Sequence, residues 1–151
     1  MATFTKIPDF IEAAMEGEFI LGTAGSLEIA LSNVAPGAEG SPTTTSGNGI
    51  LANVTQIAYT NYSDDLAVDR VLEGITSVEA GGVYTLDAND IVITAITGSL
   101  PTFRYIYVFD QVSTTPADSL IAVWDHGSAI DLAVGESATI AWNAAGLLTI
   151  T

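Results

Sequence analysis

Nine residues, Pro101-Thr102-Phe103-Arg104-Tyr105-Ile106-Tyr107-Val108-Phe109, constrain the fold more than any other stretch. The run is aromatic and β-branched, and too short for most helices. With period two, Phe103, Tyr105, Tyr107 and Phe109 share one face. Ile106 and Val108 take the other, with Arg104 ahead of them. Both faces are mostly apolar, which predicts a central strand covered on both sides. A polar turn follows, Ser113-Thr114-Thr115-Pro116-Ala117-Asp118, and then a second strand, Leu120-Ile121-Ala122-Val123-Trp124. So short a connection predicts an antiparallel hairpin.

What can surround that hairpin is bounded by composition. The chain has 151 residues, enough for one domain with a real core. Hydrophobic residues make up 48%, too many for a disordered chain, while only 14% are charged. Thr, Ser, Asn and Gly must therefore supply the polar surface, which suits close association with neighbours. Lys6, Arg70 and Arg104 are the only cations against 18 carboxylates, giving a net charge of −15. Such a chain is not expected to bind nucleic acid or an anionic membrane, because almost nothing can neutralise phosphates. There is no cysteine, so disulfides and thiolate metal sites are excluded. Met1-Ala2-Thr3-Phe4-Thr5-Lys6 lacks the basic start and apolar block of a signal peptide. No apolar run is long enough to span a bilayer as a helix. The expectation is a soluble protein made in a cytoplasm.

One helix is expected, over residues 7–16. Asp9 can cap its start, Phe10, Ala13 and Ala14 share a face with Ile7 and Met15 nearby, and Gly17 can end it. Glu12 and Glu16 lie four apart on it. So short a helix must dock, either on its own domain or, as an arm, on a neighbouring subunit. Leu27, Ile29 and Leu31 alternate with smaller or polar residues, predicting a half-buried strand. Residues 33–49 are rich in Gly, Pro, Ser, Thr and Ala and read as a long loop: an exposed binding loop, an arm ordered only in an assembly, or simply a floppy surface loop. Residues 50–57 fit a short helix or a strand, and Leu66 to Leu72 a strand. Further short strands are expected at 75–79, 83–86, 91–96, 129–132, 137–142 and 147–151. Asp125-His126-Gly127-Ser128 reads as a turn. Strands at this spacing predict a single all-β domain over residues 1–151, an antiparallel sandwich of jelly-roll-like kind with one N-terminal helix.

Chemistry-bearing patterns are sparse. The single histidine, His126, could join Asp125 or Asp131 and a serine, but no nucleophile motif supports a triad. Asp87-x-Asn89-Asp90 and Asp64-Asp65 offer oxygen ligands without the spacing of a helix-flanked calcium loop. Trp124 and Trp142 could form a sugar platform, but their place inside predicted strands favours the core. The expectation is no catalytic residue, no cofactor and no metal. Arg104 sits in the most apolar strand and needs a carboxylate, since an unpaired buried charge is very costly. Asp110, Asp125 and Asp69 are the candidates, with Asp125 taken as its partner in a structural ion pair and a substrate-carboxylate clamp as the alternative.

The tail has a recognisable order. Thr102-Phe103-Arg104-Tyr105 comes first, then Leu120-Ile121-Ala122-Val123-Trp124-Asp125-His126-Gly127-Ser128. Gly135-Glu136 and Asn143-Ala144-Ala145-Gly146-Leu147-Leu148-Thr149 follow. This order resembles a family of small virion structural proteins of tailed bacteriophages. In that family an aromatic-arginine strand precedes an Ile-x-x-Trp-Asp-x-Gly-Ser strand and turn, and a Gly-Glu turn and an Asn/Asp-Gly hairpin close the chain. More loosely, the phenylalanine-containing helix, the strand Leu27-Glu28-Ile29-Ala30-Leu31-Ser32-Asn33, a Pro-containing loop and Leu51-Ala52-Asn53-Val54-Thr55-Gln56-Ile57 are similar too. The resemblance implies a capsid decoration (cement) protein on the outside of the head, bound to the major capsid protein and homo-oligomeric, a trimer for preference. The helix and long loop then supply the candidate contacts: Phe10, Glu12, Pro36, Glu39 and Pro42. The alternatives are another virion part (head fibre base, neck or tail) and a carbohydrate-binding sandwich module.

Overall fold

The computed structural model describes residues 3–17, 19–37, 49–62, 70–114 and 117–151. They form an all-β, sandwich-like fold with one short helix. The elements run β1 (Thr3–Lys6), α1 (Asp9–Met15), β2 (Leu27–Ser32), a 3₁₀ turn (Leu51–Asn53), β3 (Thr76–Ala80), β4 (Val83–Asp87) and β5 (Ile91–Thr94). β6 (Leu100–Thr114), β7 (Ala117–Leu132), β8 (Ser137–Ile140) and β9 (Leu148–Ile150) complete them. All the pairings are antiparallel, in a four-stranded sheet β1-β7-β6-β2, a three-stranded sheet β3-β4-β9 and a two-stranded sheet β5-β8. The last six strands pair as nested hairpins: β6 with β7, β5 with β8 outside them, and β4 with β9 outside those.

The β6–β7 ribbon is the longest element, and Tyr105 to Asp110 are all buried. Its inner face carries Phe103, Ile106, Val108 and Ile121. These pack with Leu27, Ile29 and Leu31 of β2 and with residues from the other two sheets, among them Leu86, Ile93 and Leu148. Its outer face carries Tyr105, Tyr107, Phe109, Leu120 and Val123, covered by Ile7, Val54 and Leu51. Two covered faces are what the mostly apolar composition of β6 requires.

Phe103, expected on the face of Tyr105, lies on the opposite one. The cause is irregular register. Phe103 opposes Ile130 while Tyr105 opposes Asp125, so β7 carries extra residues between these pairs. A bulge changes the facing of later side chains only on the strand that carries it, so the change of face between Phe103 and Tyr105 means that the alternation of β6 is itself broken at this irregular step. The Asp125-to-Ser128 turn signal is this bulge: the chain does not reverse there, and Gly127 takes φ 88° inside β7. A second shift, between Val108 and Phe109, lets Ile121 and Ala122 both reach the inner core.

β2 is wholly buried rather than half-buried, because Leu27, Ile29 and Leu31 join the inner core and Ala30 the outer cluster, and it has neighbours on both edges. β6 pairs with one edge. Along the other, the Ile29 amide donates to the Arg70 carbonyl (2.9 Å), and the Leu72 amide to the Leu27 carbonyl (2.8 Å). The Ile57 amide donates to the Leu31 carbonyl (3.0 Å). The Leu31 amide donates to the Tyr59 hydroxyl (2.8 Å). That edge is thereby closed.

α1 docks on its own domain. Phe10 is fully buried and meets Phe19 with ring centroids 5.0 Å apart. Gly17, at φ 79°, ends the helix as expected. Met15 is 83% exposed, off the buried face near which it was placed. Asp9 does not cap; Pro8 holds the N-cap position. The Asp9 carboxylate instead accepts a hydrogen bond from the Gly49 amide (3.0 Å). The Gly49 carbonyl accepts from the Leu120 amide (2.8 Å). Gly49 thus joins the end of the long loop to both α1 and β7. A Cβ there would lie 2.9 Å from the Asp9 Cβ and 3.1 Å from Ile7. Gly49→Ala should therefore destabilise the protein by about 1–3 kcal/mol in urea unfolding, through displacement of α1. Phe103→Ala should lose more, about 3–5 kcal/mol, from the inner core.

Candidate functional surfaces

Arg104 and Asp125 face each other across the bulge. Nε donates to Oδ1 at 2.7 Å and the terminal guanidinium nitrogen to Oδ2 at 2.8 Å, a two-pronged pair. The guanidinium also sits 5.3 Å from the Tyr105 ring centroid. The pair is at the surface and not in the core: the two side chains are 37% and 34% exposed. The bulge turns Arg104 outward, so its setting is wetter than the apolar strand suggested. The hydrogen bond from Arg104, helped by the Gly127 amide, holds the Asp125 carboxyl below the usual carboxylate range. The same bond raises the Arg104 pKa further above its ordinary value. Asp110, the other described candidate, serves the backbone, accepting from the amides of Ile20 (3.1 Å) and Val112 (2.9 Å). Asp69 lies outside the described residues.

The more buried ion pair is Glu28 with Arg70, whose side chains are 9% and 15% exposed. Arg70 also lies 4.4 Å over the Tyr59 ring and donates to the Ile29 carbonyl (3.3 Å). Burial pushes the Glu28 carboxyl up; Arg70 opposes this and Asp118 adds to it. Burial likewise raises the Tyr59 phenol. Sequence reasoning missed this pair because its members are far apart in the chain and Glu28 looked like the polar side of a half-buried strand.

Other candidates come together less well. The Asp125 oxygens are taken by Arg104 and by the Gly127 amide (2.8 Å). The exposed His126 ring sits 3.0 Å from the Ser128 carbonyl, through Nδ1. Asp131 accepts from the Thr102 hydroxyl. No described residues therefore assemble a serine–histidine–aspartate relay. The Asp87 carboxylate accepts from the Ala88 amide (2.9 Å), the Asp90 carboxylate from the distant Trp142 amide (3.0 Å), and the Asn89 backbone carbonyl from the Trp142 indole (2.9 Å). No group of metal-ligating side chains occurs among the described residues. Asp64-Asp65, Glu39 and Pro42 lie outside them.

Of the expected contacts, Phe10 has no surface to offer, being a core residue. Glu12 is exposed and Pro36 half-buried. Trp142 is buried, whereas Trp124 is half-exposed, its ring centroid 4.9 Å from that of Trp142 and 5.0 Å from that of Phe4. Phe4 and Trp124 edge a cleft of about 250 Å3 against the 143–149 turn. A more open groove of about 300 Å3 lies between α1, residues 19–22 and the β3-β4-β9 sheet. Phe10, Ala14, Phe19, Leu21, Tyr84 and Ile150 line most of it. Among the described residues no helix is long and apolar enough to cross a membrane. Comparison with family models, curated proteins and solved structures finds no match for this chain.

The two ion pairs respond oppositely to change. A depressed carboxyl stabilises above its unfolded pKa and loses that contribution as pH falls through the folded value. Asp125→Asn should thus lower Tm at neutral pH, with the difference shrinking in calorimetry as acid protonates the wild-type carboxylate. A raised carboxyl such as Glu28 opposes folding at neutral pH, and acid relieves it. Breaking the Glu28 pair should still be costly, because it strands a buried charge. Arg70→Met should lose about 3 kcal/mol in urea unfolding, and Glu28→Leu/Arg70→Met together far less.

Proposed function

We propose that this chain is a virion structural protein, a capsid decoration protein that binds the major capsid protein from outside and stabilises the head. It works by contact and turns over no substrate. The observation that carries this reading is a stiff, doubly covered hairpin inside an almost purely anionic exterior. Both arginines are taken up by carboxylates within the fold, so the outward field is set by the acidic side chains. Such a body is repelled by packaged nucleic acid and attracted to a less acidic shell. The order of tail motifs shared with small virion proteins of tailed phages supports the same reading. The nested pairing of the last six strands supports a jelly-roll-like wrap of the sandwich.

Binding where capsomers meet, as a homo-oligomer and preferably a trimer, the protein would bury extra interface at each junction. Glu12 and Pro36 are available as contacts. The part first assigned to Phe10 passes to its exposed helical neighbours Ile11 and Met15. Purified protein added to expanded, undecorated heads of the parent phage should bind saturably at fixed stoichiometry and raise the rupture temperature. Absence of binding would remove the reading.

The aromatic cleft favours a second reading, a carbohydrate-binding module. Phe4 is 41% exposed beside Trp124, and aromatic faces with neighbouring polar groups suit a sugar ring. A glycan array with Phe4→Ala as control separates the two: specific binding lost in the variant supports the module, and a blank array removes it.

A further inference from the structure

We infer that the β3 edge and the adjoining apolar groove form one docking site for an extended, net-basic segment of a partner protein, which adds to the β3-β4-β9 sheet as a fourth strand. The inference rests on the decoration reading only for who supplies the segment.

β3 and β4 form a tight hairpin. Ala80 and Val83 flank a two-residue turn, Gly81-Gly82, with φ values of 64° and 85°. Both positive values make this the tight hairpin turn in which the flanking residues exchange two hydrogen bonds. Hydrogen-bonded and non-bonded pairs then alternate along the ladder. Ala80, Val78 and Thr76 turn their amides and carbonyls toward β4. Ser77 and Glu79, opposite Leu86 and Tyr84, turn theirs away. β3 is the outermost strand of its sheet among the described residues, and all five of its residues are exposed. Its outward polar groups therefore face solvent, unlike the closed edge of β2. An open edge of this kind is a template for strand addition.

The groove gives such a strand a place for apolar side chains. It meets β3 at Ser77, whose side chain lines it beside Tyr84 and Ile150. Its opposite wall is Ala14, Phe19 and Leu21, with the buried Phe10 ring beneath them. Exposed apolar side chains occur on the elements around it: Ile11 and Met15 on α1, Ile20 before β2, and Ile150 on β9.

Charge selects the occupant. α1 carries Asp9 and Glu12, Glu16 follows at its C-cap, and β3 carries Glu79, with no lysine or arginine on either element. A second copy of this chain would bring another 15 negative charges to the same place. A segment alternating apolar and basic residues fits the backbone edge, the groove and the field together.

Two assays on the intact protein test this. The first uses a capped peptide of alternating valine and lysine, about ten residues long, with a valine–glutamate peptide as control. Hydrogen exchange read by NMR should show the Ser77 and Glu79 amides slowed by the valine–lysine peptide alone. Ser77→Pro removes an outward amide without removing a backbone bond to β4, although it also loses the exposed hydrogen bond from the Ser77 hydroxyl to the Tyr84 hydroxyl (3.1 Å), and it should weaken binding about tenfold. Ile150→Glu, which places a charge at the groove wall, is the second variant should the proline disturb folding. The second assay measures binding of wild type and both variants to undecorated heads. Weakened binding by the variants in both assays supports the inference. Heads bound equally by all three proteins overturn it and leave the decoration reading standing. Heads bound by none, with the peptide behaving as expected, overturn the decoration reading and leave the docking site. Protection elsewhere, no preference for the basic peptide, or self-association through β3 overturns the inference.

Discussion

The fold depends on the pairing of β6 with β7 and on the burial of both faces of that ribbon. Tyr105, Tyr107 and Phe109 fill one side, and Phe103, Ile106 and Val108 the other. Every other strand is placed by it, directly or through a layer. β1 pairs with β7 and β2 with β6, while the β5–β8 and β4–β9 pairs close around its ends. The β6–β7 pairing carries four register shifts, and two of them solve a packing problem. One brings Phe103 to the inner core and turns Arg104 outward to meet Asp125; the other delivers two consecutive β7 residues to the same core. Aromatic burial at this density is the main favourable contribution to folding, and it leaves little room for local play.

The two edges of the sheets are treated differently, and this contrast shapes the functional reading. Along β2, backbone from residues 70–72 and 57, with the Tyr59 hydroxyl, satisfies the exposed side of the strand, and the Glu28–Arg70 pair sits beside it. Along β3, no described residue does the same. A chain so poor in charge and so free of cations gains no protection there from lysine, the usual guard of an edge. It relies on mutual repulsion between acidic copies to stay apart. Repulsion of that kind leaves the edge open to a partner of opposite sign.

Much of this was legible in the sequence wherever a strand has a strong period or a sharp boundary. The apolar run from Ile91 to Ile96, the Gly81-Gly82 boundary and the aromatic run up to Phe109 lead to β5 (which stops at Thr94), the β3–β4 hairpin and β6. What was not legible depends on backbone irregularity or distant contact. The Asp-His-Gly-Ser run carries the composition of a turn, and only the partner strand shows it to be a bulge; the break in alternation between Phe103 and Tyr105 beside it leaves no mark in the sequence. Asp9 has the chemistry of a helix cap, but the Gly49 amide competes for it. Phe10 looked available to a partner because the helix seemed able to stand away from the domain; Phe19 and the inner core claim its ring. The Arg104–Asp125 pair could be read because both residues lie on one predicted hairpin. Glu28 and Arg70 meet only once β2 gains its second neighbour.

The most direct measurement of the central claim is native-state hydrogen exchange along the whole chain. If the β6–β7 ribbon holds the rest together, the amides of Ile106, Val108, Ile121 and Val123 exchange only through global unfolding, with a free energy equal to that from urea. Exchange of those amides through small local openings, or slower exchange in β3 and β4 than in the ribbon, would contradict the account.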